Sequence, residues 1–167
     1  MKNEIKRGTL RYHINTIYTL LRKDEYLMRL LYYKPESSEL EDSLEIKHIL
    51  DNDDYWNIVD ERIMTTTKSS EIEKEELCRL YIYPGRRRSD FNSYVVADQE
   101  IVIDVLVHDS YSSDLRTEWI ADRLNELIAL ERITGFGKVE FAAANQRDAP
   151  TRYDRYQLVY TIKDGKK

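Results

Sequence analysis

Few residues of this chain have the types and spacing that catalysis requires. His108 and Asp109 are adjacent at the end of a strand pattern and could form a general base with its orienting carboxylate. No nucleophile is near them in sequence, so we interpret the pair as a strand end that enters a turn. Cys78 could be a thiol nucleophile, but its position beside Leu77 and Leu80 on a strand pattern favours a small buried apolar residue.

Two other stretches could hold a ligand. GFGK, residues 135–138, lacks the GxxxxGK[ST] spacing of a phosphate loop and precedes a strand pattern, which favours a tight helix-to-strand connection. DNDD, residues 51–54, lacks the ligand periodicity and the closing glutamate of a calcium loop. The single cysteine excludes a thiolate zinc cluster, and the three histidines have no metal-like spacing. The sequence therefore predicts no catalytic residues, no cofactor and no metal, and we expect a protein that is not an enzyme.

The charge pattern is more informative than these candidates. The chain has 26 Lys and Arg against 31 Asp and Glu, with a formal charge of -5. A Pro84-Gly85 turn signal precedes a basic loop, called here the arginine triplet: Arg86, Arg87 and Arg88. Ten residues before it lies an acidic run, called here the acidic segment: Glu71, Glu73, Glu75 and Glu76.

Three interpretations of these charges remain open. Each run could be solvated surface. Together they could be self-complementary, with the triplet of one subunit against the acidic segment of its neighbour, as in contacts that close into rings. The triplet could instead face DNA, although a pI of about 5.3 argues against a dedicated DNA-binding protein. The 13 tyrosines slightly favour an interaction protein.

Apolar periodicity predicts three helices. A first helix covers residues 10–31 and stops before Lys34-Pro35, a second covers residues 37–50, and the clearest covers residues 114–130. In the last one, an apolar stripe is opposed by a charged face. The stripe contains Leu115, Trp119, Ile120, Leu124, Leu127 and Ile128, and the charged face contains Arg116, Glu118, Asp122 and Arg123.

Strand patterns fill most of the second half, at residues 78–84, 95–109, 135–145 and 155–162, whereas residues 65–76 are polar and weakly patterned. The segment 95–109 alternates strictly. We expect one face in the core, Ile101, Ile103, Val105 and Val107. We expect the mixed face to be partly exposed or to meet another subunit: Val102, Asp104, Leu106 and His108.

This order of elements predicts an α+β fold, an antiparallel β-sheet with helices packed mainly on one face. We expect one domain, formed by an N-terminal helical segment at residues 1–50 and an α+β core at residues 51–167. The N-terminus lacks the apolar core of a signal peptide, and no apolar run approaches the roughly 20 residues that span a bilayer. We therefore expect an intracellular protein without a membrane partner.

The region from about residue 50 to residue 162 resembles a known family. Its elements are an alternating strand, a surface helix, a glycine-plus-strand element, a proline-bearing loop and a closing strand: QEIVIDVLVHD (99–109), DLRTEWIADRLNELI (114–128), GFGKVEF (135–141), NQRDAPTRYDRY (145–156) and YQLVYTI (156–162). This succession resembles tail terminators and other neck or tail-completion proteins of tailed bacteriophages. DNDDYWNIVDERIM (51–64) and YIYPGRRR (81–88) are also similar to proteins of phage structural modules.

The resemblance implies a structural virion protein, located in the tail or neck and assembled in the host cytoplasm. It would form a homo-oligomeric ring, a hexamer, that caps the tail tube and joins the tail to the head. Its partners would be further copies of the chain, the tail tube protein and a neck or head-completion protein, with DNA in the channel as an alternative for the triplet. The alternative functions are another phage neck (head-completion) protein and a small DNA-binding or regulatory module that uses Arg86–Arg88.

Overall fold

The structure, a computed structural model, describes residues 8–36, 48–66, 72–89, 96–133 and 137–165. The helices in this part of the chain are α1 (Leu10–Lys23), α2 (Glu25–Tyr32), α3 (Tyr55–Arg62) and α4 (Arg116–Ile128). The strands are β1 (Ile63–Met64), β2 (Cys78–Ser89), β3 (Val96–His108), β4 (Glu140–Arg147) and β5 (Tyr153–Gly165), and Ile72–Lys74 and Asp109–Asp114 form short 3₁₀ helices. None of the described helices is long and apolar enough to cross a membrane.

The strands form one sheet in the order β1-β2-β3-β5-β4. Pairing is antiparallel throughout, except that β1 runs parallel to β2. A large apolar cluster joins one face of this sheet to all four α-helices. The predicted α+β class, with helices mainly on one face of an antiparallel sheet, is confirmed.

The two faces of β3 are both buried, which corrects one prediction. The apolar face, at Ile101, Ile103, Val105 and Val107, packs in the helix-covered core as expected. The mixed face, from Val102 to His108, is not partly exposed, because its residues are only 2–6% exposed. A second apolar cluster, beside the first 3₁₀ helix, lies on that side of the sheet: Ile72, Leu77, Tyr81, Leu106 and Tyr153.

The predicted helix at residues 10–31 is divided at Asp24. Asp24 has an extended backbone, with φ -82° and ψ 108°, and its Oδ1 accepts a hydrogen bond from the Leu27 N–H at 2.8 Å. It therefore caps the amino end of α2, since a cap side chain satisfies an N–H that has no partner within the helix. Its carboxylate also accepts two bonds from Arg123 of α4, at 3.0 and 2.6 Å. Periodicity alone could not reveal this break, because both helices keep their apolar faces inward.

Several predicted segments lie outside the described residues. Most of the second predicted helix does so, at residues 37–47, as do residues 67–71 of the polar stretch and residues 134–136 of the glycine connection. The four predicted strands are all observed, with ends that differ by a few residues, and β2 continues to Ser89.

Two residues at the start of the helix predicted at 114–130 have the opposite burial to the one expected. Arg116, assigned to the solvent face, is fully buried, and Leu115, assigned to the apolar stripe, is 53% exposed. The reason is that α4 begins only at Arg116, and Leu115 precedes it in a left-handed conformation with φ +56°. Leu115 therefore lies outside the helical periodicity that predicted its burial.

The buried side chain of Arg116 donates hydrogen bonds to carbonyl groups at the carboxyl end of α2. The last four carbonyl groups of an α-helix have no hydrogen-bond donor within the helix. Three side chains from other parts of the chain donate to these carbonyls. The bonds are Arg116 to Leu30 O (2.5 Å) and Tyr33 O (2.6 Å), Arg62 to Leu31 O (3.1 Å) and Tyr111 to Tyr32 O (3.2 Å). Charged donors are thus fixed at the negative end of the helix dipole, which favours positive charge.

Candidate protein-interaction site

The arginine triplet lies within strand β2, and not in a loop as predicted. Arg87 pairs with Gln99 of β3, and Arg88 pairs with Asp98. Strand β1 pairs with β2 only near its start. The outer edge of β2 therefore has no neighbouring strand along the triplet, as far as the described residues extend.

The Pro84-Gly85 pair forms a bulge and not the predicted turn. The register of β2 against β3 shifts just after Pro84, and both strands continue beyond it. A Cβ atom on Gly85 would lie 2.9 Å from both Glu100 Cβ and Val102 Cγ2, so any other residue type would force these neighbours to shift. The carboxylate of Glu100 accepts the Arg86 N–H at 3.1 Å. Proline lacks an N–H and suits an edge strand, so this pair shapes the exposed edge of the sheet.

The three arginine side chains are exposed at the projecting end of the sheet. Those of Arg86 and Arg88 form no ion pair with any residue that the structure describes. Asp98, opposite Arg88, instead lies 2.7 Å from Lys163 Nζ. Arg86 and Arg88 therefore present their positive charge to the solvent around the subunit.

The acidic segment lies at the other end of β2. Glu73, Glu75 and Glu76 precede the first residue of that strand, whereas Glu71 lies outside the described residues. Cys78 and Arg88 are ten residues apart along β2, and at about 3.3 Å per residue this is a separation of roughly 33 Å. The triplet and the acidic segment therefore cannot meet within one subunit.

Two of these acids already have partners within the subunit. Glu75 Oε2 lies 2.8 Å from Arg79 Nη2. Glu76 lies 3.1 Å from Lys34 Nζ and 3.9 Å from Arg152 Nη1, and the hydrogen bond from Lys34 lowers the pKa of Glu76. A second subunit would have to compete with these contacts, and the Arg79 side chain of the first pair is only 6% exposed.

The residues considered for catalysis have structural roles. His108 is buried, and its Nδ1 accepts the Ser110 N–H at 3.2 Å, so that it caps the 3₁₀ helix that follows. Asp109 receives two bonds from Arg152, at 2.9 and 3.1 Å, and these lower the pKa of Asp109. Cys78 is fully buried, and burial raises the pKa of its thiol to about 12. A thiol in that state is not a nucleophile near neutral pH.

A buried carboxylate on the face of the sheet opposite the helices is also fully bonded. Asp104 accepts hydrogen bonds from Tyr83 (2.8 Å), Arg155 (2.6 Å) and Gln157 (3.0 Å). Burial and the bond to Asp104 raise the pKa of Tyr83. These long side chains cover the face that the sequence predicted to be partly exposed. Among the described residues, no group of three or more His, Cys, Asp and Glu side chains could hold a metal ion.

The YomW family model matches residues 24–162 of this chain, which is most of its length. The chain belongs to the YomW family. This is a phage-derived family. The matched region contains both the arginine triplet and the acidic segment, together with α2, α3, α4 and strands β1 to β4.

The fold of this YomW-family chain is similar to that of one chain in the virion of the native gene transfer agent (GTA) particle. The TM-score is 0.52, and the match covers 92% of this chain and 94% of that chain at 13% sequence identity. At this identity the similarity shows a common fold. No curated protein matches the chain.

Helix α3 adds a surface that sequence reasoning did not select as a site. Trp56 is 57% exposed, although large aromatic side chains are usually buried. The Arg22 guanidinium of α1 lies 4.9 Å from the centre of its ring. Beside this helix, a groove of about 790 Å³ lies between α1, β1 and the edge of β2. The sequence did contain a signal, because an aromatic pair directly follows four residues rich in aspartate.

Proposed function

We propose that this YomW-family chain is a structural virion protein of a phage or phage-derived particle, and that it acts as a tail terminator. The observation that carries the proposal is the fold similarity, over almost the whole of both chains, to a chain of a gene transfer agent virion. Membership of a phage-derived family agrees with it. The tail-terminator role comes from the resemblance of residues 50–162 to that family.

The proposed mechanism is assembly by complementary contacts. A positive group and a negative group lie at opposite ends of β2, too far apart to meet within one subunit. A head-to-tail contact between two copies could bring them together, and such contacts close into a ring when the rotation between copies permits. We expect a homo-oligomeric ring, a hexamer, whose two faces bind the tail tube protein and a neck or head-completion protein.

We propose a non-enzymatic role, located in the tail or neck of the virion. The candidate nucleophile is buried and protonated, and the carboxylates of Asp104 and Asp109 are held by arginine. Groups that are already paired in this way support packing rather than turnover. We also propose that the chain is a single domain, because one apolar cluster contains residues from α1 and α2 as well as from the sheet.

The exposed triplet supports one alternative, contact with DNA, either in the channel of a ring or as a small DNA-binding module. Phosphate contacts by arginine make binding fall steeply with salt. Replacement of Arg86, Arg87 and Arg88 by alanine should then abolish a salt-dependent affinity for duplex DNA in an electrophoretic shift assay. Absence of any shift with the wild-type chain at low salt would exclude the DNA-binding module.

The tail-terminator role is tested by the growth of tail tubes. The assay uses purified tail tube protein encoded by the same genome as this chain. The tube protein polymerises with and without the chain, and light scattering follows the length of the tubes. We expect the wild-type chain to stop growth at a low molar ratio to tube protein. Phe141→Ala, a substitution of an exposed aromatic residue on β4, is the control and should stop growth equally. Tubes that grow to the same length with and without the chain would refute the role.

A further inference from the structure

The surface around α3 combines an exposed aromatic ring with unpaired acids. Trp56 and Asp60 are four residues apart and lie on one side of α3, and Asp53 lies in the turn just before the helix begins. Leu50 is 39% exposed beside them. We call this surface the α3 patch; its members are Leu50, Asp51, Asp53, Asp54, Trp56, Asp60 and Glu61. An exposed tryptophan within such a patch is typical of a protein-binding surface.

The acids of the α3 patch differ from those of the acidic segment in their partners. Asp51, Asp53 and Asp60 form no ion pair with any residue in the described part of the chain. Glu75 and Glu76, in contrast, are paired with Arg79 and with Lys34. A cation that approached Glu75 or Glu76 would have to displace these partners, whereas one that approached Asp51, Asp53 or Asp60 would not.

The carboxylates and the exposed aromatic ring of the α3 patch are groups that an arginine side chain binds. Guanidinium groups bind carboxylates through paired N–H donors and stack on the faces of aromatic rings. Arg22 already lies 4.9 Å from the centre of the Trp56 ring, and more than half of Trp56 stays exposed. A second guanidinium could therefore contact this residue and the nearby carboxylates at the same time.

We propose that the α3 patch of one subunit binds the arginine triplet of a second copy of the chain. This inference rests on the proposed ring and replaces the acidic segment as the acceptor. The triplet has three exposed cations in a chain of net charge -5, so another copy can supply the complementary group.

The geometry favours a contact between copies. Helix α3 leads directly into β1, which pairs with β2 at Leu80 and Tyr81. Asp60 lines the groove that extends to Pro84, but Arg86 and Arg88 lie six and eight residues beyond Leu80, roughly 20 and 26 Å. Neither arginine forms an ion pair with an acid of the α3 patch in the described residues. The donor and acceptor are therefore separate surfaces of one subunit. A contact of this kind is heterologous, so each added copy leaves one donor and one acceptor unoccupied until a ring closes.

The test uses this separation of donor and acceptor. One variant has the donor removed, with Arg86, Arg87 and Arg88 replaced by alanine, and a second has the acceptor neutralised by Asp51→Asn, Asp53→Asn and Asp60→Asn. Each should stay monomeric in light scattering, and their mixture should form a one-to-one dimer because one intact donor and one intact acceptor remain. A third variant, with Glu73, Glu75 and Glu76 replaced by glutamine, should form rings as the wild type does. Circular dichroism confirms that each variant is folded.

The role of the ring of Trp56 is measured separately. Trp56→Ala should raise the concentration at which half of the chain is assembled by about 30-fold, the loss typical of a central aromatic anchor. Phe141→Ala, also an exposed aromatic residue, should leave that concentration within about threefold. An equal effect of the two substitutions would overturn the proposal.

The remaining outcomes separate the inference from the proposed function. If the acceptor-neutralised variant forms rings and the variant of the acidic segment does not, the acceptor is the acidic segment and only the inference is wrong. If the wild-type chain stays monomeric in solution and on tail tubes, both the ring and the inference are wrong. Dimer formation in the mixture, absent from either variant alone, supports both.

Discussion

Replacement of Arg116 by methionine removes a guanidinium that joins three parts of the fold. The Asp114 carboxylate accepts bonds from its Nε and Nη2 at 2.7 to 3.1 Å, and Nη1 donates to the carbonyl oxygens of Leu30 and Tyr33. Arg116 is fully buried and Asp114 is only 6% exposed. The substitution therefore leaves a buried carboxylate without its counter-charge and two carbonyl groups without a donor.

The expected cost follows from these losses. Removal of one partner of a buried ion pair costs about 3–5 kcal/mol, out of a total stability of roughly 5–15 kcal/mol for a domain. Since 1 kcal/mol shifts the melting temperature of a domain of this size by about 2–4 °C, Arg116→Met should lower it by about 6–20 °C. Urea unfolding followed by circular dichroism measures the free energy directly.

Two further variants identify the cause of the loss. Asp114→Asn combined with Arg116→Met removes the unpaired charge, so the double variant should be more stable than Arg116→Met alone. It should stay below the wild type, because the Leu30 and Tyr33 carbonyls still lack donors. Arg88→Met, on the exposed end of β2, should change stability by less than about 0.5 kcal/mol. An Arg116→Met protein within about 1 kcal/mol of the wild type would refute this reasoning.

Three more outcomes follow from local contacts. Gly85→Ala should destabilise the chain by about 1–3 kcal/mol in urea unfolding, since its Cβ would lie 2.9 Å from Glu100 Cβ; an unchanged midpoint would argue against the bulge. Cys78, whose thiol pKa is raised to about 12 by burial, should react with a thiol reagent at mildly alkaline pH only after unfolding, and rapid reaction of the native chain would contradict its burial. The hydrogen bond from Arg152 lowers the pKa of Asp109 below its ordinary 3.8, so that this contact stabilises the fold above the ordinary pKa and is lost as pH falls through the lowered one. The melting temperatures of wild type and Arg152→Gln should therefore converge below about pH 4, and a constant difference at all pH values would contradict the pairing.

Short-range patterns predicted the elements but not the contacts that end or cover them. The strict alternation of residues 101–107 predicted the buried face of β3, because strand periodicity depends only on the local backbone. The cover on its other face comes from Tyr83, Arg155 and Gln157, which lie on other strands. Their approach depends on the order of strands in the sheet, which a local pattern does not contain.

The errors at Arg116 and at Pro84-Gly85 have the same origin. A charged residue at the start of a predicted helix is normally solvated, but Arg116 meets carbonyl groups of Leu30 and Tyr33, more than 80 residues earlier in the chain. Pro-Gly is a frequent turn signal, but here the Glu100 carboxylate holds the Arg86 N–H and the strand continues. The three arginines are exposed. They lie within strand β2, because the strand continues past the Pro-Gly pair instead of ending there.

Electron microscopy of tail tube ends tests the central claim most directly. Tubes polymerised with the wild-type chain should carry a ring of additional density at one end, and the variant with Arg86, Arg87 and Arg88 replaced by alanine should leave most ends bare. The same preparation with Phe141→Ala should look like the wild type. Bare tube ends in the presence of excess wild-type chain would contradict the proposal that this protein terminates the tail.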